Sequence, residues 1–328
     1  MRLSIIRHWA VAGVALVLAV ALGVAVLIPE GGSGTRNLSD PRILWGIGDQ
    51  LGPALGSRFH RDGVARMVTA WFNGPGDLDW MRQAEGPAVA EAYAAGDAIE
   101  LVVWLADDPQ YAISERFQSD IRLLTTLHKG SGPHYGPLYI VLFTEFETYQ
   151  DGDPAYQVAL LNAYRRAIGV IHDEYGGARV ALGFGGYAWD GVHDRDLAPF
   201  RDEIAVSDFV AVQQMQPCDD QIDGRSVAVD KVRAAVRQLG GFGKLVMVSH
   251  FKLWGDTGCQ RAAFERFATE VFTATSLANL VRDGLFAWGF MADSYSSDAN
   301  PADDAVRRIT RYRATLRRGA GPPSAGLP

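Results

Sequence analysis

Short apolar runs recur along the chain and alternate with longer stretches in which apolar and polar residues are mixed. The runs are rich in Val, Ile, Leu, Phe and Trp, as the strands of a parallel sheet are when both faces of the sheet are covered. We expect eight strands, at residues 42–47, 65–72, 98–105, 138–143, 179–184, 209–213, 244–248 and 284–290.

The stretches between the runs have the spacing of amphipathic helices. In the clearest case Phe117, Ile121 and Leu124 recur at steps of four and three residues, which places them on one face of a helix. The same pattern predicts helices at residues 113–127, 154–175, 227–239, 260–280 and 302–316. Because strand and helix units alternate throughout, the sequence predicts an α/β fold, a single (β/α)8 or TIM barrel over residues 41–316.

Two other architectures can be weighed against this barrel. An open, doubly wound sheet is disfavoured because the first loop contains only Gly46-x-Gly48, and the full phosphate-binding glycine fingerprint is missing. A barrel acting on a phosphorylated metabolite predicts a glycine-rich phosphate site after strands seven and eight. Only Gly255 and Gly258 stand in that region, and the export signal described next argues against a cytosolic metabolite.

The N-terminus carries the pattern of an export signal. Arg2 and Arg7 precede an apolar stretch at residues 9–28, which is long enough to span a bilayer with the N-terminus inside. Residues 1–30 are therefore predicted to be a signal anchor or a cleaved signal peptide, followed by a linker at 31–40. Either alternative predicts an extracytoplasmic domain, anchored in the membrane or secreted. A flexible tail is predicted at residues 317–328.

Charge and cysteine content narrow the possible partners. The formal net charge of −7, without a basic run in the barrel region, argues against nucleic acid, and the membrane is expected to be met only through the N-terminal segment. Cys218 and Cys259 follow strand-like runs, and in an oxidising compartment we expect them to form a disulfide; two unpaired thiols are the alternative. Their number and spacing do not suit a zinc site, so neither a metal nor a cofactor is expected.

Polar and aromatic side chains follow most of the runs, where ligands bind in (β/α)8 barrels. Carboxylates, amides and indoles together suit a sugar, because aromatic faces cover the ring and polar groups bind its hydroxyls. Among Trp104, Trp189, Trp254 and Trp288 we expect at least two to form such a platform. The predicted substrate-binding residues are Asp49, Asn73, Trp104, Asp107, Tyr187, Gln214, His250, Lys252 and Trp288.

The end of the fourth run is the most informative position for catalysis. If the alternation of a strand continues there, Phe143, Glu145 and Glu147 point the same way. Burial against Phe143 and neighbouring indoles would raise the pKa of Glu145, which suits a general acid that protonates a leaving glycosidic oxygen. We therefore predict that Glu145 is the general acid/base, and Glu147 is a further catalytic candidate.

The sequence Thr144-Glu145 after the fourth run, together with Trp288 in the eighth, resembles the (β/α)8 glycoside hydrolases that carry an acid/base Glu at the end of strand four. The resemblance implies a barrel that cleaves glycosidic bonds, with a second Glu as nucleophile at the end of strand seven. This chain departs from that pattern: Thr144 stands where the family usually has Asn, and strand seven leads into Ser249-His250-Phe251-Lys252.

Three interpretations of this departure remain open. The second carboxylate is supplied by Asp293, Asp49 or Glu147, in that order of preference, or by Asp256; a wide separation from Glu145 would favour inversion. Alternatively, Glu145 and Glu147 act together, as in chitinase-like hydrolases.

In the third interpretation, the protein is a non-catalytic glycan-binding or cell-envelope protein on a degenerate barrel. His250 and Lys252 then bind an anionic sugar. The leading prediction remains an extracytoplasmic glycoside hydrolase that acts on a polysaccharide or oligosaccharide.

Overall fold

A closed barrel of eight parallel strands forms the centre of the protein in a computed structural model that describes residues 43–131, 135–219, 221–222, 225–291 and 308–310. The barrel strands are β1 (Leu44–Ile47), β2 (Met67–Phe72), β3 (Ala98–Val103), β4 (Leu138–Leu142), β5 (Ala178–Gly185), β6 (Val210–Pro217), β9 (Val246–Trp254) and β10 (Leu285–Phe290). Their order around the barrel is β1-β2-β3-β4-β5-β6-β9-β10, and β10 closes on β1. The predicted α/β barrel is confirmed.

Helices follow most of the strands and cover the outside of the barrel. They are α1 (Leu51–Gly56), α2 (Arg58–Arg61), α3 (Leu78–Ala94), α4 (Pro109–Ala112), α5 (Glu115–His128), α6 (Pro154–Glu174), α7 (Arg201–Val206), α8 (Val227–Gly240), α9 (Thr257–Val271) and α10 (Ala274–Arg282). Short 3-10 helices lie at Phe146–Gly152, Gly186–Ala188 and Ala198–Phe200. A small antiparallel hairpin, β7 (Gln221–Ile222) and β8 (Arg225–Ser226), was not predicted.

The sequence starts the helices with local capping groups. The hydroxyl of Ser114 accepts a hydrogen bond from the Phe117 amide at 3.1 Å at the start of α5, and Asp153 accepts one from the Ala155 amide at 2.9 Å at the start of α6. Such side chains satisfy amides that have no partner within the helix. The predicted apolar stripe of α5, which includes Phe117, is buried against the barrel.

Alternating side chains of the strands divide the core into two layers. The inner layer fills the barrel with residues such as Met67, Val102 and Phe209. The outer, larger layer lies between the strands and the helices. Residues of one strand therefore face either the barrel axis or the helices, and this parity decides which side chains can reach the mouth of the barrel.

Two strands extend beyond their predicted ends. β6 continues to Pro217 and β9 to Trp254, whereas the apolar runs end at residues 213 and 248. In addition, β9 contains a bulge: Val212 pairs with Val248, but Gln213 pairs with His250, so Ser249 is the extra residue. A bulge adds one residue to one strand and changes the direction of the side chains that follow it.

The region predicted as one helix at residues 260–280 forms two. Helix α9 ends at Val271, and α10 begins after Thr273, whose hydroxyl accepts a hydrogen bond from the Ser276 amide at 3.1 Å. A cap inside an otherwise continuous apolar pattern thus starts a new helix. Of the helix predicted at 302–316, only residues 308–310 are described, and they are helical.

The disulfide between Cys218 and Cys259 is present, with 5.7 Å between the Cα atoms. It joins the end of β6 to the first turn of α9. The predicted export segment, the linker and the tail at 317–328 lie outside the described residues. Within the described part of the chain, none of the helices combines the length and the apolar character needed to cross a bilayer.

Candidate active site

Glu145 lies just beyond the end of β4, and its backbone holds it firmly between the neighbouring strands. The amide of Thr144 donates to the Val103 carbonyl of β3, and the amide of Glu145 donates to the Gly183 carbonyl of β5, each at 3.0 Å. Glu145 nevertheless has a positive φ of 61°. A residue other than glycine with a positive φ is strained by about 1–3 kcal/mol, and such residues are concentrated at functional sites.

The turn depends on a close approach of two strands. A Cβ atom at Gly183 would lie 2.7 Å from the Cα of Thr144 and 2.9 Å from its Oγ1, so only glycine fits there. This contact lets the chain after β4 pass directly over β5 and brings Glu145 to the carboxyl end of the barrel.

The surroundings of Glu145 favour its protonated form. The carboxyl group is partly buried, and burial raises its pKa above the ordinary value of 4.5. The negative charge of Glu147 acts in the same direction, whereas a hydrogen bond from the Trp104 indole stabilises the carboxylate and lowers the pKa. A carboxyl with a raised pKa beside an indole at the barrel mouth can donate a proton to a substrate oxygen.

The expected alignment of Phe143, Glu145 and Glu147 on one side of an extended strand is wrong. β4 ends at Leu142, and both Phe143 and Glu145 have positive φ values, 54° and 61°, which interrupt the two-residue alternation. Phe143 is consequently buried in the outer layer, 5.1 Å between ring centroids from Phe117. Burial of Glu145 therefore does not come from the predicted alternation with Phe143.

Glu147 is held in an ion pair. Its Oε1 lies 2.5 Å from Nη1 of Arg195, and the Gly185 amide donates to both of its oxygens. Arg195 in turn lies over the rings of Phe184, Trp189 and Phe200. Burial raises the pKa of Glu147, and the guanidinium counters this by favouring the carboxylate. These contacts indicate an anchor for the loop after β4.

A polar network that no sequence pattern predicted crosses the inside of the barrel. Glu100 of β3 is fully buried and accepts hydrogen bonds from the hydroxyls of Thr69 at 2.9 Å and Ser249 at 2.7 Å. Ser249 also contacts Nδ1 of His250 at 3.1 Å, and the Trp71 indole donates to Nε2 of the same ring. Glu100 lies inside an apolar run, which predicts only a strand. A charged residue at an inward position of that run is the sequence feature that could have indicated the network.

The network fixes the protonation of His250. An indole N–H can only donate, so Nε2 of His250 accepts, and the proton of the neutral ring lies on Nδ1. Burial lowers the pKa of His250 to about 3, and burial raises the pKa of Glu100 from 4.5 to about 8. Both groups are therefore uncharged at neutral pH. His250 is fully buried, so in this structure its ring presents no surface to the anionic sugar that it was predicted to bind.

Two other predicted binding residues are buried outside the mouth. Gln214 is 0% exposed and donates to Oε1 of Gln216 at 2.9 Å, because β6 continues past Gln213 and turns Gln214 toward the outer layer. Trp288 is also 0% exposed and packs against Trp45, Phe272 and Phe290. Gln214 and Trp288 thus lie in the core of this structure, where neither side chain presents a surface to a sugar.

Gln213 takes the place predicted for Gln214. It shares the inward parity of Ala211 and pairs with His250 at the mouth. Within the described part of the chain, its Oε1 atom is buried and has no hydrogen-bond partner. A buried acceptor of this kind suits a ligand hydroxyl. The sequence could have identified it only if the length of β6 had been known.

The remaining predicted residues have different positions. Asp49 is half-buried after β1, Trp104 and Lys252 are half-buried, and Asp107 and Asn73 are exposed. The amide and side-chain nitrogens of Asn73 bond to Asp77.

The residue Tyr187 is 45% exposed; partial burial of its hydroxyl raises its pKa, and the nearby charges of Glu147 and Glu145 act in the same direction. Asp256 caps α9 by accepting from the Cys259 amide at 3.0 Å, and Asp293 lies outside the described residues.

The four tryptophans considered as a platform divide into two pairs. Trp189 is 1% exposed and donates to Gln238, and Trp288 is in the core. Trp104 is half-buried and Trp254 is 49% exposed. Among the residues that the structure describes, no cluster of His, Cys, Asp and Glu could hold a metal ion.

Comparison with solved structures places this barrel beside glycoside hydrolases. An endo-β-1,4-mannanase double mutant from Cellulomonas fimi has a TM-score of 0.61 at 13% identity over 82% of this chain and 70% of that chain. A GH26 β-mannanase from Bacteroides ovatus has a TM-score of 0.57 at 10% identity, over 86% and 92% of the two chains. The GH53 catalytic domain from Ignisphaera aggregans has 0.54 at 11% identity, over 83% and 96%.

At these identities the likeness shows the fold alone, and the resemblance to (β/α)8 glycoside hydrolases is confirmed at that level. No protein-family model and no curated protein sequence matches the chain.

Proposed function

We propose that this protein is an extracytoplasmic glycoside hydrolase that cleaves a polysaccharide, with Glu145 as the general acid/base. The observation that carries the proposal is the position of Glu145: a carboxyl with a raised pKa, held in a positive-φ turn at the end of the fourth barrel strand and bonded to a half-buried indole. The likeness to mannanases and a GH53 domain supports a polysaccharide substrate.

In the proposed reaction, Glu145 donates its proton to the glycosidic oxygen as the bond to the sugar breaks. Trp104 orients the carboxyl and stabilises the carboxylate that remains after proton transfer. A water molecule activated by the second carboxylate bonds to the anomeric carbon as the glycosidic bond breaks, and Glu145 then regains a proton from solvent, which completes the catalytic cycle. Gln213 and Tyr187, which lie on neighbouring parts of the rim, are the groups that we expect to bind sugar hydroxyls.

We assign the second carboxylate to Asp49. Glu147 is occupied by Arg195 and the Gly185 amide, and Asp256 caps a helix away from the reaction. Asp49 follows β1, three strands around the barrel from β4, and is half-buried. If the carboxyl groups of Asp49 and Glu145 lie farther apart than the about 5–5.5 Å of a retaining pair, Asp49 serves as general base for a water molecule and the outcome is inversion. Asp293 stays the other candidate.

The proposed location outside the cytoplasm is supported by two independent features. Residues 9–28 have the apolar character of an export segment, and the Cys218–Cys259 disulfide suits an oxidising compartment. The N-terminal segment then either anchors the barrel in the membrane or is removed on secretion.

One observation favours a second function, the binding of a glycan without cleavage. The seventh barrel strand presents His250 where the related hydrolases place a nucleophilic Glu, and both nitrogens of that ring are engaged by Trp71 and Ser249. His250 therefore cannot replace the nucleophile. A barrel of this kind could keep its sugar-binding mouth and lack hydrolysis.

Release of reducing ends from a panel of polysaccharides separates the two functions. We expect the full chain to release reducing ends from at least one polymer, and Glu145→Gln to lose this activity by about 10²–10⁴-fold. Asp79→Asn, a change on the exposed start of α3, is the matched control and should keep the activity. Equal release by Glu145→Gln and the parent would remove Glu145 from the mechanism, and binding without release by the parent would favour the second function.

A further inference from the structure

Strands β6 and β9 continue together past the rim of the barrel. β5 last pairs with β6 at Gln213, and β10 last pairs with β9 at Phe251. Beyond these points, residues 214–217 and 252–254 pair only with each other among the described strands, ending with Pro217 opposite Trp254. These two segments, called here the β6–β9 projection, form a wall on one side of the mouth.

The parity of the two strands determines what the wall presents. Gln213, Met215 and Pro217 share the inward side of β6, opposite His250, Lys252 and Trp254 of β9. On the other side, Gln214, Gln216 and Leu253 are buried. The projection therefore has one packed side and one side that continues the lining of the mouth, and the indole of Trp254, 49% exposed, lies at its outer end.

The end of the projection is fixed to the body of the barrel. The Cys218 amide donates to the Trp254 carbonyl at 2.8 Å, and Cys218 is joined to Cys259 on α9. Gly255 follows with a φ of 146°, and a Cβ there would lie 2.4 Å from Sγ of Cys218. Trp254 thus sits on a backbone that the disulfide and a glycine contact hold in place, which limits the entropy lost when a ligand binds.

We propose that Trp254 is the stacking platform of a remote subsite. This subsite binds a sugar ring that lies several sugar units along the polysaccharide from the glycosidic bond that Glu145 protonates. This inference rests on the proposed function and adds the requirement for a long substrate. Trp254 lies four strand positions beyond His250, or about 13 Å at 3.3 Å per residue. That distance exceeds the length of one pyranose ring, so a ring stacked on Trp254 is not the ring that lies beside His250, and a longer chain is needed to occupy both places.

The chemistry of the wall selects a sugar as the occupant. A single exposed indole offers an apolar face, and Lys252 and Gln213 carry polar groups on the same side of the two strands. Such alternation of one aromatic face with polar groups matches the faces and hydroxyls of pyranose rings. Met215 and Pro217 share this side but are half-buried, so Trp254 is the exposed large apolar side chain among the described residues of the wall, whereas a protein interface would need a wider apolar patch.

Calorimetric binding to oligosaccharides of different length tests the proposal. The probes are mannobiose and mannohexaose, with cellohexaose and xylohexaose as alternatives, and the protein is the full chain carrying Glu145→Gln so that the probes stay intact. We expect the further change Trp254→Ala to weaken hexaose binding at least tenfold and to leave disaccharide binding within twofold. Tyr135→Ala is the control, since Tyr135 is an equally exposed aromatic, at 56%, just before β4 at the other end of the barrel.

The outcomes separate this inference from the proposed function. Hexaose binding that is unchanged by Trp254→Ala, or weakened equally by Tyr135→Ala, would overturn the subsite and leave the glycan-binding mouth intact. Equal weakening for the disaccharide and the hexaose would also overturn it, because the indole would then act at the mouth. Absence of binding to every probe by the parent and by Glu145→Gln would contradict both the subsite and the proposed function.

Discussion

Among the carboxylates that the structure describes, Glu145 is set apart by its positive φ. The sequence predicted a functional Glu145 through strand alternation, but the chain reaches the same result through a left-handed turn and a glycine contact at Gly183. Neither feature has a recognisable signature in Thr144-Glu145 alone. The residue could be predicted, whereas the reason for its position could not.

The protonation of Glu145 predicts how the rate of cleavage depends on pH. A general acid is active while protonated, so the rate should fall as the pH rises through the raised pKa of Glu145. Trp104→Phe removes a hydrogen bond that lowers this pKa, so the alkaline limb of kcat should move to higher pH. Trp80→Phe, at the start of α3 where the indole donates to Asp77, should leave the limb in place. A shift to lower pH in Trp104→Phe would contradict the assigned hydrogen bond.

A substitution of Glu147 distinguishes a role in anchoring the loop after β4 from a role in catalysis. Glu147→Gln leaves the buried Arg195 without its counter-charge among three aromatic rings, and loss of one partner of a buried pair costs about 3–5 kcal/mol. We expect a loss near the lower end of this range in urea unfolding, since both groups keep some exposure. A variant with parental stability and no activity would instead assign Glu147 to the reaction.

At the scale of elements, the ends of strands were harder to predict than their centres. Every apolar run corresponds to a barrel strand, but β6 and β9 extend beyond the runs through polar residues. A run of apolar residues shows where a strand is covered on both faces. It does not show how far the strand continues where one face lines a polar mouth. For this reason the sequence pattern did not separate Gln213, which faces inward, from Gln214, which is buried on the other side of β6.

The disulfide should contribute to stability as well as to the projection. It closes a sequence separation of 41 residues, and removal of such a bond costs about 2–4 kcal/mol. We therefore expect the double variant Cys218→Ser, Cys259→Ser to unfold at lower urea concentration than the parent under oxidising conditions. Under strong reduction the parent should approach the double variant. Equal stability of both proteins in oxidising buffer would show that the bond does not form in solution.

At the scale of the whole molecule, the alternation of apolar runs and helical patterns was sufficient to predict the barrel. The pattern contains little information about the barrel interior, where Glu100, Thr69 and Ser249 meet from β3, β2 and β9. Ser249 reaches this network because of a bulge, which no spacing in the sequence indicates. Contacts between distant strands depend on register, and register is fixed only when the barrel closes.

The buried network should control how stability depends on pH. Glu100 binds its proton more tightly in the folded protein, with a pKa of about 8, than in the unfolded chain near 4.5, so its contribution to stability falls as the pH rises between these values. His250 has the opposite sign: its folded pKa of about 3 lies below the unfolded value of 6.5, so stability falls as the pH drops through that interval.

Thermal unfolding of Glu100→Gln tests this sign. The variant lacks the carboxyl proton, so its melting temperature relative to the parent should increase between pH 5 and pH 8, by on the order of 5 °C. Glu91→Gln, on the exposed side of α3, is the control, and its melting temperature should change with pH as that of the parent does. A relative melting temperature that falls over the same interval would contradict a protonated Glu100.

The central claim is that Glu145 gives a proton to the leaving oxygen, and the leaving group itself provides the most direct test. Cleavage by the parent and by Glu145→Gln should be compared on a polysaccharide and on a 2,4-dinitrophenyl glycoside of the same sugar, whose leaving group needs no proton. We predict a loss of about 10²–10⁴-fold on the polysaccharide and less than tenfold on the activated glycoside. Equal losses on both substrates, or no loss on the polysaccharide, would contradict the assignment of Glu145 as the general acid.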